Sequence, residues 1–377
     1  MTEIGFFEGE GKDRFFFALG RNAIYAAFLS AGLKAGDKVL TPAFDCDGTL
    51  QPFKALGLEP VFYRSDPYTF QVDIADIVEK LSAGPKMVHV INHFGFPQPW
   101  DELLALRKKI GIPILEDNAY SLFSSYKGKF FGSFGDFAIF SLKKNLPLTD
   151  GGMLVVNNKH KIEPLKKAPL FYPCDYANVL TMIKRMLGYY KAPEALRIIL
   201  RRSNPAIECP PPLYSKEDEG FPEWPERDKM SAEFSLDYLR PISRLARWQL
   251  GRYTAANLSL IAEKKRRYYK LLSDRLAGIK GVEILRPQLE EGTVPFSFNI
   301  LLGRERDEVF AKLRKRYEVM SWPTLPMAVI GRLEEFPEVE LLGRRLLQIS
   351  LAADKVIEPR FEAYLERLIG ELSGSLR

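Results

Sequence analysis

Two short clusters in this chain hold the residue types that chemistry needs. The apolar run Pro113, Ile114, Leu115 ends in two carboxylates, Glu116 and Asp117. A second apolar run, 137–140, ends in Ser141 followed by Lys143 and Lys144. Between them lies a turn-rich segment with Gly128 and the patch Gly132-Ser133-Phe134-Gly135-Asp136. In an open α/β sheet, ligands sit beyond the carboxyl ends of the strands, so such carboxylates and lysines would face one crevice. A carboxylate against a pyridinium nitrogen and a lysine that forms a Schiff base are the protein's parts in pyridoxal-phosphate chemistry. The same residues also have plain structural uses, since Asp closes turns and adjacent lysines are ordinary solvated surface. Spacing by itself leaves both readings open.

The elements that must position these clusters follow from the pattern around them. Residues 15–19 are apolar, and Gly20-Arg21-Asn22 opens an amphipathic run that stops at Gly32, with Asn22 the expected N-cap. A glycine turn into a helix N-terminus is a ready anion site. Strands are expected at 38–41, 60–63, 87–91 and 112–115, and helices at 74–81 (capped by Asp73) and 100–110 (stopped by Gly111). That alternation predicts a parallel, doubly wound α/β sheet. Residues 159–202 are basic with apolar residues at helical spacing, which reads as packed helices with a solvated basic face rather than a membrane-surface helix. Residues 203–226 are proline-rich and read as an extended crossover. A long helix is expected over 230–276. Strands at 282–285, 295–301 and 346–351 with helices at 307–317 and 359–372 then predict a small α/β domain. The expected division is a large domain over 1–245, with 159–228 insertion-like, and a small one over 246–377. The loop 321–326 would overhang the cleft, with Trp322 as packing. Of three histidines, His89 lies within a strand, His160 lies in a basic loop and His93 is nearest the presumed crevice; a packed His93 is favoured over a catalytic one.

Composition narrows the class. The chain has 377 residues, 46% hydrophobic and 27% charged, which is ordinary globular composition. Its three cysteines, Cys46, Cys174 and Cys209, show no CxxC spacing, so neither a disulfide framework nor a structural zinc site is expected and a cytoplasmic setting fits. The first residues lack a basic stretch followed by an apolar core, so no signal peptide is expected. No apolar run approaches the ~20 residues of a spanning helix, so no membrane insertion is expected. The net charge of +6 comes without any nucleic-acid-binding pattern; it suits an anionic, diphosphate-bearing small molecule.

The segment 113–152 resembles the DegT/DnrJ/EryC1/StrS family of pyridoxal-phosphate aminotransferases. The Pro-Ile-Leu-Glu-Asp strand, the Gly-Ser-Phe-Gly-Asp turn, the Phe140-Ser141 strand end and the Lys144-Asn145-Leu146 loop running to Gly151-Gly152 stand in the family's order. The resemblance extends over most of the chain and is weakest at about 160–228. It implies a type I fold, pyridoxal 5'-phosphate as cofactor, a homodimer, and transfer of an amino group, with glutamate as donor, to a keto-sugar carried on a nucleotide. It assigns Lys144 to the internal aldimine, Asp117 to the pyridine nitrogen and Ser141 to the cofactor phosphate. Lys143 remains an alternative, because Ser141 and Lys144 are only three residues apart; strand alternation would keep both lysines from facing one cleft. Arg21 and Asn22 stand where the family places small hydroxyl residues for the phosphate. Cys46 stands where an aromatic ring covers the cofactor face, which Phe44 would supply only from a shifted loop. Tyr120 stands where Gln or His meets the 3-oxygen, and Arg227 where an asparagine reaches the neighbouring subunit. The sugar dehydratases of the family replace the lysine by histidine, so that branch is disfavoured. Two further readings stay open: an aminotransferase for a non-nucleotide carbonyl substrate, and a cofactor-binding regulatory protein without turnover.

Overall fold

Short apolar runs, separated by helices that stop on glycine, build a seven-stranded sheet. The computed structural model describes residues 13–158, 162, 165, 238–321 and 325–376. The first part runs β1 (Asp13–Phe17), α1 (Gly20–Ala31), β2 (Lys38–Pro42), α2 (Asp47–Leu56), β3 (Glu59–Tyr63), α3 (Ile74–Lys80), β4 (Met87–Ile91) and α4 (Trp100–Ile110). It continues through β5 (Ile114–Asn118), the two-residue strands β6 (Ser125–Tyr126) and β7 (Lys129–Phe130), β8 (Phe137–Phe140), α5 (Leu142–Asn145) and β9 (Gly152–Val156). The spatial order is β1-β9-β8-β5-β4-β2-β3. Neighbours from β3 to β8 pair in parallel, whereas β9 and β1 close one edge antiparallel. Strands β4, β5, β8 and β9 are buried at every residue, as a sheet covered on both faces requires. After β3 the chain returns to the other side of β2. The order therefore reverses between β2 and β4, and a crevice opens at their carboxyl ends.

Helix α1 lies against β8 and β9 through Ala23, Ala26 and Ala27, whose small side chains allow close approach. A Cβ on Gly152 would collide with the Leu19 carbonyl, so only glycine lets β9 pass beneath the start of this helix. The helix begins at Gly20 with Leu19 as N-cap, three residues ahead of the expected cap, because the Asn22 N–H already bonds to Leu19 O (3.1 Å). Strand β5 runs on through Asn118, so Glu116 and Asp117 lie inside the ladder opposite Ala138 and Ile139 rather than just past it. Helix α2, which contains Pro52, has no counterpart in the sequence expectations.

The second part runs α6 (Arg244–Leu250), α7 (Ala255–Leu276), β10 (Val282–Ile284), β11 (Ser297–Leu302), α8 (Asp307–Leu313), β12 (Val319–Met320), α9 (Met327–Ile330), α10 (Pro337–Arg345), β13 (Leu346–Ser350), α11 (Ala353–Val356) and α12 (Phe361–Ser375). Its four strands form an antiparallel sheet in the order β10-β11-β13-β12. The long helix expected over 230–276 is two helices: α6 ends at Gly251, and Thr254 starts α7 with a reciprocal capping box to Asn257. Tyr268 and Tyr269 of α7 meet Phe361 and Phe298 edge-on, at 4.9 and 4.8 Å between ring centres. Lys265 of the same helix is 1% exposed, with Phe123 and Phe296 rings 5.7 and 5.6 Å from its ammonium. Burial pulls its pKa down to about 7, with Asp354 acting weakly the other way.

The two sheets join where residues 292–296 meet the turns after β4 and β5. The Ser124 hydroxyl donates to Gly95 O (2.7 Å) and accepts the Val294 N–H (2.9 Å), and the Phe296 N–H donates to Phe94 O (2.8 Å). Phe94 sits in the left-handed region (φ +55), and a Cβ on Gly95 would collide with the Val294 carbonyl. None of the described helices is long and apolar enough to cross a membrane. The basic stretch 159–202 apart from Ile162 and Leu165, the proline-rich 203–226, and His160, Cys174, Cys209, Arg227 and Trp322 lie outside the described residues.

Candidate active site

Four parallel strands deliver the site from their carboxyl ends. Asp45 and Cys46 follow β2, His89 and His93 come from β4 and its end, Asp117 and Tyr120 from β5, and Ser141 and Lys144 from β8 and α5. Asp117 is 3% exposed; its Oδ1 accepts the Ala119 N–H (2.8 Å) and its Oδ2 meets His89 Nε2 at 3.2 Å. His89 Nδ1 in turn lies 2.9 Å from the Thr41 hydroxyl, so β2, β4 and β5 supply one buried chain, Thr41–His89–Asp117. Such an outer partner fixes the carboxylate's orientation.

The adjacent Glu116 does something different. Gly132 N–H (2.6 Å) donates to its Oε1, and Phe134 and Gly135 N–H (2.9 and 3.1 Å) donate to its Oε2. Burial raises its pKa, and those backbone donors hold the shift back. Asp136 closes the same turn, accepting Ile114 N–H (2.9 Å) and a two-pronged contact from Arg107 (Nε 2.7 Å). A Cβ on Gly135 would stand 2.8 Å from Ile114 O, so glycine is required there. The Gly-Ser-Phe-Gly-Asp patch is therefore scaffold that seats β5 and β8.

Lys144 donates to the Tyr120 hydroxyl (2.9 Å) and its ammonium lies 4.0 Å from that ring's centre. The lysine is exposed, and Tyr120, Cys46 and Asp117 act on its ammonium. These neighbours, not its exposed area, set the field at Nζ. Burial disfavours the ammonium, but Tyr120, Cys46 and Asp117 more than offset this, and the pKa stands above the ordinary lysine value. Burial also pushes the Tyr120 phenol up to about 12, against the pull of Lys144. Residues 142–145 are a helical turn rather than a strand, so alternation does not separate the two lysines. Lys144 is the one whose amine stands on Tyr120, while Lys143 has its backbone N–H on Gly151 O (3.3 Å).

Ser141 is 4% exposed and does not cap the helix that follows it. It abuts the start of α1: a Cβ on Gly20 would stand 3.2 Å from Ser141 Cβ and 3.6 Å from its hydroxyl. Arg21, in the first turn of α1, donates to Gln51 Oε1, and burial lowers its pKa. The Asn22 amide donates instead to Tyr238 O (2.8 Å), so it ties the 238–243 segment to α1 rather than aiming that bond at an anion. Helix start, Ser141 hydroxyl and Arg21 guanidinium are a donor set that suits a phosphate. Cys46 Sγ lies 3.3 Å from the Thr49 hydroxyl, and its thiol pKa is raised by burial and by Asp45.

Phe44 is core, 1% exposed and 5.5 Å from the His93 ring, so it offers no face to the cleft. His93 is packed too: its Nε2 is 3.0 Å from Phe44 O, and burial lowers its pKa to about 4. The histidine nearest the site is His89, not His93. Sequence reasoning passed over His89 and Asp45. The signal for the first was a single polar residue in the otherwise apolar Met-Val-His-Val-Ile strand; for the second, an acid three residues past a buried strand end.

The sequence model of the DegT/DnrJ/EryC1/StrS aminotransferase family matches residues 17–170. Within the matched residues lie Arg21, Cys46, Asp117, Tyr120, Ser141 and Lys144. The chain is 33% identical over 142 residues to GDP-perosamine synthase of Escherichia coli O157:H7, covering 37% of this chain and 39% of that one. It is 32% identical over 147 residues to a pleiotropic regulatory protein of Geobacillus stearothermophilus, covering 38% and 40%. The matches thus span about two-fifths of these curated relatives. Among solved structures, Escherichia coli GDP-4-keto-6-deoxy-D-mannose-3-dehydratase with bound hydrated PLP superposes with a TM-score of 0.66 at 18% identity, over 98% of this chain and 90% of that one. An aminotransferase from Streptoalloteichus hindustanus gives 0.65 at 20% identity, over 96% and 85%. The chain shares the fold of these solved structures.

Proposed function

We propose that this protein binds pyridoxal phosphate and aminates a keto-sugar, carried on a nucleotide, with glutamate as amino donor. The observation that carries the reading is the meeting of the Lys144 amine and the Asp117 carboxylate in one cleft, beside the Ser141–α1 cradle. Bound pyridoxal phosphate supplies an electron sink for the carbon that loses its proton. Ser141, Arg21 and the start of α1 hold the phosphate. Asp117, oriented by His89, holds a proton on the ring nitrogen. Lys144 Nζ would hold the cofactor's aldehyde end and would supply the general base and acid for the proton at the substrate carbon. Tyr120 places a hydroxyl beside Lys144 in the position of the 3-oxygen partner. The net charge of +6 and the likeness to a GDP-perosamine synthase support the nucleotide-sugar class. A homodimer in the cytoplasm, with a large domain over 1–245 and a small one over 246–377, belongs to the same reading.

A second reading, a regulatory protein that holds the cofactor without turnover, draws on the altered Cys46 and Tyr120 positions and on the match to a pleiotropic regulatory protein. Absorbance of the purified protein with added pyridoxal phosphate tests both. Wild type and Lys143→Ala should show a visible band that borohydride reduces, and Lys144→Ala should not. Glutamate should bleach the band. A band that survives in Lys144→Ala overturns the assignment, and one that glutamate leaves intact favours the regulatory reading.

A further inference from the structure

The hydroxyl that meets Lys144 belongs to a residue past the end of its strand. β5 stops at Asn118, and Tyr120 lies in the turn that follows, 9% exposed. A phenol oxygen stands on the ring axis, so turning the ring about that axis leaves it in place, whereas a swing about Cα–Cβ carries it away. The hydroxyl stays on Lys144 only while packing holds the ring against that swing. Phe94, from the turn after β4, lies 5.8 Å from the Tyr120 ring and is tilted by 47°. Phe296, directly before β11, lies 5.0 Å away and edge-on at 74°. Edge-on aromatic pairs are directional in a way that an aliphatic contact is not. Phe296 is itself held twice: its N–H donates to Phe94 O (2.8 Å), and Lys265 Nζ lies 5.6 Å from its ring centre. Pro295 and Ser297 beside it are buried, while Phe296 is half-buried, its ring reaching from the joint to the cleft wall that Tyr120 forms.

We propose that Phe296 is a positioning residue of the site: its ring, delivered by the four-stranded layer, holds the Tyr120 hydroxyl on the Lys144 amine. Lys144 and Tyr120 both come from the seven-stranded part, so their pairing is complete only with this ring from the other layer. Phe296 then acts on Lys144 through the Tyr120 hydroxyl alone. The consequence for cofactor retention rests on the pyridoxal-phosphate reading; the consequence for the lysine amine does not.

Phe296→Leu and Phe296→Ile remove the ring and keep an apolar side chain for the joint, whereas Phe296→Tyr keeps the ring. In the protein without cofactor, acetylation of Lys144 by acetic anhydride, timed by peptide mass spectrometry, should accelerate about threefold or more in the two ringless variants and in Tyr120→Phe. It should stay at the wild-type rate in Phe296→Tyr. In the loaded protein, retention of pyridoxal phosphate, measured by equilibrium dialysis, should weaken about three- to tenfold in the ringless variants. Both effects should vanish when Phe296→Leu is combined with Tyr120→Phe, because a hydroxyl already removed has no place to lose, whereas a merely structural role would add. An unchanged acetylation rate in both ringless variants, or an undiminished acceleration by Phe296→Leu on the Tyr120→Phe background, overturns the role of Phe296. A wild-type protein with no lysine-dependent band overturns the cofactor reading and leaves the acetylation rates to judge Phe296.

Discussion

Glu116 and Asp117 are neighbours on one strand, both buried, yet the molecule treats them in opposite ways. Glu116 accepts three backbone N–H groups of the 132–135 turn and, at 3.4 Å, the Asn92 amide. Asp117 takes one backbone N–H and an imidazole, and its remaining capacity faces the cleft with Lys144. A carboxylate whose donors come mostly from one backbone turn is spent on holding that turn. One held at its rear by a histidine chain keeps a fixed direction and a face for something else. The pair shows that a strand-end acid is judged by who donates to it, not by how deeply it is buried.

That contrast can be broken most decisively at Asp117. Asp117→Asn should lower amino transfer by about 10²–10⁴-fold with little change in melting temperature. An equal loss in Glu116→Gln with an unchanged melting temperature would erase the distinction. Lys265 extends the contrast to a cation with no acceptor among the described residues. Its pKa is lowered from 10.5 to about 7, so the unfolded chain binds more protons between those values and stability rises with pH across them. Lys265→Met should therefore gain about 2–4 kcal/mol at pH 6, a gain that fades towards pH 10, as denaturant titrations at both values would show. Glu116→Gln weakens the strongest bonds of the turn and should cost about 1–3 kcal/mol of unfolding free energy, with activity of the folded fraction nearly kept. Tyr120→Phe is the mildest: losing one hydrogen bond to Lys144 should weaken cofactor retention less than about tenfold, measured by equilibrium dialysis.

Much of this was legible in the sequence, for identifiable reasons. Helix 100–110 and strands 87–91 and 137–140 fall where expected, because Gly111 and uninterrupted apolar runs punctuate them. Asp117 and Lys144 were readable because their order along the chain tracks adjacent parallel strands. Asn22 misled because a side chain suited to capping also suits tying a distant carbonyl, Tyr238 O, 216 residues away in sequence. The choice between Lys143 and Lys144 needed the helical turn of 142–145, which four residues cannot announce by periodicity. His89 needed the strand order itself, since only the placement of β4 between β2 and β5 joins it to Thr41 and Asp117.

The Ser124 latch has a mechanical consequence. One hydroxyl binds the turn after β4 to residue 294, and two residues on the Phe296 amide is bonded to Phe94. Phe296 also rests its ring edge-on, at 5.0 Å, on Tyr120 in the cleft. Any swing of the four-stranded layer away from the seven-stranded one must break these bonds and lift that ring from the cleft wall together. The joint is thus a pin set directly behind the site. The amide protons of Val294 and Phe296, both bonded across the joint, should therefore exchange slowly with solvent.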